Sequence, residues 1–239
     1  MPNTETRIDE IADRVFRIST PVPPDIIRGG FTFNVFLIAA AEPLLFHTGP
    51  RRVFPLVRDA IAKVMSPARL RYISFSHFEA DECGALNELL ELAPDATPVC
   101  GRIGAMTSVS DFAARPPRVL DDGESLSLGD RSVSWLDMPH VPHGWDCGMF
   151  FDSHSRTLLC SDLFTQAGDN VAPLTESDIL GPSEELRRHL EYFAHAPNTA
   201  ALLAKAAALK PATLACMHGS SWRGDGAALI GELAAIVAK

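Results

Sequence analysis

The stretch Tyr72–Pro94, YISFSHFEADECGALNELLELAP, decides the reading of this chain. Its first four residues are apolar or small and suit a short buried strand, while Ala85–Leu92 carries leucines at i, i+3 and i+4 among helix formers. Between them lie His77, Glu79 and Asp81, three good metal donors within five residues. A loop that leaves a buried strand for a helix is where α/β proteins hold their chemistry. Nothing in packing asks for so much charge directly after an apolar strand. Alternate residues point to one side of an extended segment, so an extended loop would aim all three side chains together.

Working outward, further donors fall at the ends of expected strands. His143 follows a strand ending near Leu136, Asp162 follows TLLCS, and His218 follows TLACM. Three imidazoles and three carboxylates, with no thiolate required, suit iron or manganese and leave zinc open. An aspartate shared between two ions lowers their mutual repulsion, and Asp162 is the natural bridge. Lone histidines such as His154 and His189 are read as ordinary surface or satisfied residues.

Around this centre the N-terminal half reads as strands at Arg14–Ser19, Phe31–Ile38 and Pro43–Phe46, then a helix over Val53–Val64. Val99 marks another strand, Gly104–Phe112 a helix, and Val119–Leu136 a set of strands around Gly123 and Gly129. Met149–Asp152 and Thr157–Ser161 read as a hairpin, and Thr213–Cys216 as a strand. Helices are expected over Glu184–His195, Thr199–Leu209 and Ala227–Val237. Two strand-rich halves, each with helices, predict an α/β protein in which two sheets lie between helix layers.

The 239 residues, 46% of them hydrophobic, show no composition shift that would mark a linker, so one domain over 1–239 is expected. A formal net charge of -9 without a Lys/Arg cluster argues against nucleic acid as a partner. The N-terminus MPNTETRIDEIADRVFRI has no apolar signal core, and the longest apolar run is far below the roughly 20 residues that cross a bilayer. Five cysteines, odd in number and without a C-x-x-C pair, predict free thiols and a cytoplasmic protein. Cys83 and Cys147 adjoin the donor loops and read as small packing residues before redox groups.

His77-Phe78-Glu79-Ala80-Asp81-Glu82, with PHVPHGWDCGMF, LLCSDLF and MHGSSW after it, resembles the flavodiiron proteins of the metallo-β-lactamase superfamily. Those proteins carry H-x-E-x-D-H where the hydrolases of the superfamily carry H-x-H-x-D-H, and Glu79 matches the former. The resemblance implies a metallo-β-lactamase αββα sandwich with two iron ions. One would be held by His77, Glu79 and His143, the other by Asp81 and His218, with Asp162 between them. It also implies binding or reduction of dioxygen or nitric oxide. Flavodiiron proteins continue into a flavodoxin domain, whereas this sequence ends one helix after His218. The reading therefore expects no flavodoxin domain in cis, with electrons or signals exchanged through a separate partner, as in the stand-alone oxygen-binding diiron proteins thought to sense oxygen. A homodimer follows from the same resemblance. A metal-dependent hydrolase of an ester, thioester or phosphoester is the alternative, motivated by the habit of the superfamily. Two residues depart from the pattern. Glu82 stands where the family usually has a histidine near the second iron, and could ligate, hydrogen-bond a water or face solvent. His47 in LLFHTG stands where the family commonly has Asp, a place from which a ligand is oriented.

Overall fold

A computed structural model describes residues 5–237. Residues 1–4 and 238–239 fall outside it, and with them the first residues of the N-terminal stretch and the last of the expected domain. The chain runs β1 (Arg7–Ala12), β2 (Val15–Val22), β3 (Phe31–Ile38), β4 (Leu44–Phe46), α1 (Phe54–Ala62), β5 (Tyr72–Ser74), α2 (Ala80–Cys83) and α3 (Leu86–Leu92). It continues through β6 (Thr97–Gly101), α4 (Arg102–Gly104), a π-helical turn at Ala105–Val109, α5 (Ser110–Phe112), β7 (Arg118–Leu120), β8 (Ser125–Ser127) and β9 (Ser132–Asp137). Then come β10 (Gly148–Asp152), β11 (Thr157–Leu159), β12 (Leu174–Thr175), α6 (Leu180–Leu190), α7 (Thr199–Ala208), β13 (Thr213–Ala215), β14 (Ser221–Arg223) and α8 (Gly226–Val237).

Two seven-stranded sheets result, ordered β1-β2-β3-β4-β5-β6-β7 and β12-β14-β13-β11-β10-β9-β8. The period of two along each strand builds three cores. On β3 and β4, Phe36, Ile38, Leu44 and Phe46 face the second sheet and meet Trp135, Phe150, Leu159 and Ala215. Their neighbours Val35, Leu37 and Leu45 face outward against Val57 and Ile61 of α1 and Leu86, Leu89 and Leu90 of α3. The second sheet does the same, with Leu136, Met149, Leu158 and Leu214 packed on Leu203 of α7 and Ile230 and Leu233 of α8. This is the expected αββα sandwich. Strands covered on both faces are buried along their whole length, which is why LLF, YIS, TLL and TLA are mostly apolar and carry no alternation. At the centre, the Trp135 ring lies so close to Gly148 that an added Cβ would sit 1.9 Å from it.

Three expectations need correction. The helix expected over Glu184–His195 runs over Leu180–Leu190, ending where Glu191 turns left-handed at φ 49°. Pro182 is accommodated because it lies in the first turn, and the Asp178 carboxylate accepts hydrogen bonds from the Leu180 and Gly181 amides. The Gly104–Phe112 helix is broken into α4 and α5 by the π turn. The edge strands β1 and β12, and the short β14 between β12 and β13, were not foreseen, because short strands of mixed polar residues carry little periodic signal. The Ala-rich α7 buries Thr199, Leu203 and Ala206, so its apolar face serves the core. No described helix is long and apolar enough to cross a membrane.

Candidate metal centre

The parallel strands β4 and β5 of one sheet and β11 and β13 of the other send their ends to a common edge between the sheets. His77 and Glu79 leave β5, Asp162 leaves β11, and His218 leaves β13. His143 comes from the loop that joins β9 to β10, which includes a cis Val141–Pro142 peptide. Gly144 in that loop has φ +76°, and a Cβ there would meet the Cβ of His77 at 2.9 Å. Glycine thus lets the His143 loop close onto the His77 loop.

The alternation argument holds only for part of the first motif. Glu79 is extended at φ −137° and ψ 157°, but Asp81 and Glu82 lie in the short helix α2. It is the helical turn, and not an extended loop, that swings Asp81 back toward His218 and also brings in Glu82.

All six expected residues converge. His77 Nε2 lies 3.1 Å from Glu79 Oε2, and His143 Nε2 lies 3.3 Å from the same oxygen. Asp162 divides its carboxylate between two groups. Its Oδ2 is 3.4 Å from His143 Nε2 and 3.7 Å from His77 Nε2, whereas its Oδ1 is 3.3 Å from His218 Nε2. His218 Nε2 is in turn 3.5 Å from Asp81 Oδ2. Donor atoms of His77, His143 and Asp162 can gather within 4.8 Å of one another, and so can those of Asp81, Glu82 and His218.

The hydrogen bonds around the cluster fix which nitrogens face it. His218 Nδ1 donates to the Thr32 carbonyl at 2.8 Å, so Nε2 presents its lone pair inward. Phe31 stacks on the same ring at 4.2 Å and holds its plane. Behind His77, Nδ1 meets Ser76 Oγ at 3.0 Å, and that hydroxyl meets Nε2 of buried His47 at 3.1 Å. With Nε2 of His77 free to bind a metal, its proton sits on Nδ1 and is donated to Ser76, which then donates to a neutral His47. Burial drives the His47 pKa down to about 3, which keeps that ring neutral. His47 therefore sits behind a candidate ligand. Its left-handed backbone, φ 66°, is one of several such non-glycine residues here.

The charges of the cluster suit cation binding. Hydrogen bonds from His143 and His77 hold Glu79 down to about 2. Burial pushes Asp162 up, but the three imidazoles around it, His218 foremost, outweigh that and leave it far below the usual carboxylate range. Burial alone would lower His143 and His218, yet Glu79 beside the one and Asp162 beside both leave the two histidines above 6.5. Among the described residues, no Lys or Arg pairs with Glu79, Asp81, Glu82 or Asp162, whose only ion-pair neighbours are the histidines. Asp162 Oδ1 and Glu82 Oε2 are buried without a hydrogen-bond donor. Four carboxylates without a Lys or Arg beside them, two of them with buried oxygens that accept no hydrogen bond, and three imidazole Nε2 atoms turned toward them make a donor set that fits a pair of metal ions.

A cavity of about 180 Å³ opens on the cluster, and Phe31, Thr165, Leu190 and Tyr192 complete its wall. These four were not singled out from the sequence. Tyr192 falls within the helix expected over Glu184–His195, and only the end of α6 at Leu190 frees it to reach the site, where its ring lies 6.1 Å from that of His143. All five cysteines are free and buried. Burial raises the Cys83 thiol to about 12, so it is a packing residue rather than a redox group.

Residues 31–219, which hold the whole cluster, match the model of the ODP family beta lactamase. A rubredoxin-oxygen oxidoreductase from Megalodesulfovibrio gigas is 29% identical over 174 residues, covering 71% of this chain and 42% of that protein. A nitric oxide reductase from Moorella thermoacetica is 31% identical over 146 residues, 57% of this chain and 35% of the relative. The chain thus spans less than half the length of these relatives. Among solved structures, the metal-soaked flavodiiron core from Synechocystis sp. PCC6803 superposes with a TM-score of 0.85 at 21% identity, over 99% of this chain and 62% of that one. The sandwich, the cluster's place in it and the family match agree, and the chain belongs to the ODP family of beta-lactamase domains, with the fold of a flavodiiron core.

Proposed function

We propose that this chain holds two iron ions and uses the pair to bind or reduce dioxygen or nitric oxide, with electrons delivered by a separate donor protein. The observation that carries the reading is the divided carboxylate of Asp162, one oxygen toward His77 and His143 and the other toward His218. His77, Glu79 and His143 would hold one ion, Asp81 and His218 the other, with Asp162 shared. Glu79 supplies a hard oxygen donor, which suits iron. The names of the relatives, a rubredoxin-oxygen oxidoreductase and a nitric oxide reductase, support the same chemistry.

When bound, a ferrous pair supplies electrons and open coordination positions to a diatomic gas. The chain's own residues orient and restrict. Ser76 and His47 fix the His77 ring, Thr32 fixes His218, and Phe31, Leu190 and Tyr192 wall the cavity. At about 180 Å³ that cavity is below the roughly 300–1,000 Å³ of sites for drug-sized ligands. It suits a gas better than a bulky ester. Turnover or sensing would then depend on how fast electrons are resupplied.

The test is the metal content of protein expressed without chelators, paired with anaerobic addition of dioxygen or nitric oxide. About two irons per chain and a new absorption band are expected. Two zincs with no spectral response would overturn the reading in favour of a metal-dependent hydrolase.

A further inference from the structure

Glu82 is the member of the cluster that the family pattern does not explain. Its side chain is 1% exposed, and Oε2 has no hydrogen-bond donor. Its backbone carbonyl accepts the Thr48 amide at 2.7 Å, which ties the short helix α2 to the end of β4. From there Oε2 lies 4.0 Å from His77 Nε2, on the first side of the cluster. Donor atoms of Glu82 also gather within 4.8 Å of His77 and Glu79, and equally of Asp81 and His218. Glu82 therefore reaches both groups, as Asp162 does.

We propose that Glu82 is a second shared carboxylate, a ligand to both metal positions alongside Asp162. The inference rests on the two-metal reading above. A solvent-facing role is excluded by burial. A purely structural role leaves an unpaired buried carboxylate oxygen beside Asp81 and Asp162, and such an oxygen costs stability without return. A cation on each side satisfies it. Ionised, Glu82 raises the donor set from three carboxylates to four, a charge equal and opposite to that of two divalent ions, where a histidine would leave one positive charge over.

Anaerobic calorimetric titration of the chelator-stripped full chain with ferrous iron, and separately with redox-silent zinc, reads both equivalents. Glu82→Gln removes the charge and keeps the shape, and is expected to weaken both equivalents, each by about 10-fold or more. Glu82→His can serve one position only and is expected to restore one equivalent and not the other. The melting temperature of metal-free Glu82→Gln should not fall, since the amide keeps the shape and takes a buried carboxyl group from beside two others. Should that variant melt early, Glu82→Asp, which keeps the charge on a shorter arm, must weaken both equivalents in its place. Loss of a single equivalent in Glu82→Gln, or unchanged binding, would overturn the sharing. Wild-type protein that takes up no pair of ions would instead overturn the function proposed above, so the two failures are distinguishable.

Discussion

His47 gives a stability prediction that can be worked from the structure. The ring is fully buried and titrates at about 3 when folded, against 6.5 for an exposed imidazole. The folded state thus keeps His47 neutral while the unfolded state takes up a proton below 6.5. Stability from this group is fully present above 6.5 and is lost as pH falls through the window from 6.5 to about 3. At pH 5, about 1.5 units into that window, the loss is about 2 kcal/mol at about 1.4 kcal/mol per unit. The assay is urea unfolding of the metal-free protein at pH 7.5 and pH 5. His47→Asn is the reference, since Asn tolerates the left-handed backbone at φ 66° and does not titrate. All other groups, including the raised His143 and His218 with their opposite dependence, are common to both proteins and cancel in the difference. Wild type should lose about 2 kcal/mol more than His47→Asn between the two pH values. Parallel pH curves would refute the burial argument, and with it the neutral His47 that the Ser76 relay needs.

The remaining predictions concern the loop at His143 and the far side of the fold. Gly144→Ala forces a left-handed alanine whose Cβ meets that of His77, and should cost about 1–3 kcal/mol in urea unfolding while weakening metal uptake. Unchanged values of both would deny the close approach of the two loops. Arg131 is buried and donates to Asp152 at 3.0 Å and to Asp13 at 2.7 Å. Removing the buried partner in Asp152→Ala should cost about 3–5 kcal/mol and leave the metal content as it is in the wild type, as read by unfolding and metal analysis.

The sequence by itself determined the layers and pointed to the six residues that the fold brings together. Runs such as LLF and TLL are apolar on both sides because both faces of their strands are covered, and that pattern is local, so it can be read without coordinates. The candidate donors His77, Glu79, Asp81, His143, Asp162 and His218 were legible for a related reason. His77, Asp162 and His218 each follow an apolar run directly, and Glu79, Asp81 and His143 lie in the loops just beyond such runs, where packing has no use for a charge. Tertiary structure decided the rest, because it depends on what approaches from elsewhere in the chain. The helix α6 stops at Leu190 although helix formers continue, and that stop alone carries Tyr192 to the cavity. Asp81 reaches His218, 137 positions away in sequence, through a turn of α2 that spacing had suggested was extended. From sequence, Glu82 could ligate, hydrogen-bond a water or face solvent. Its burial between two groups of donors comes from the meeting of β5, β11 and β13 at one edge, and a contact between distant strands leaves no trace in the local pattern.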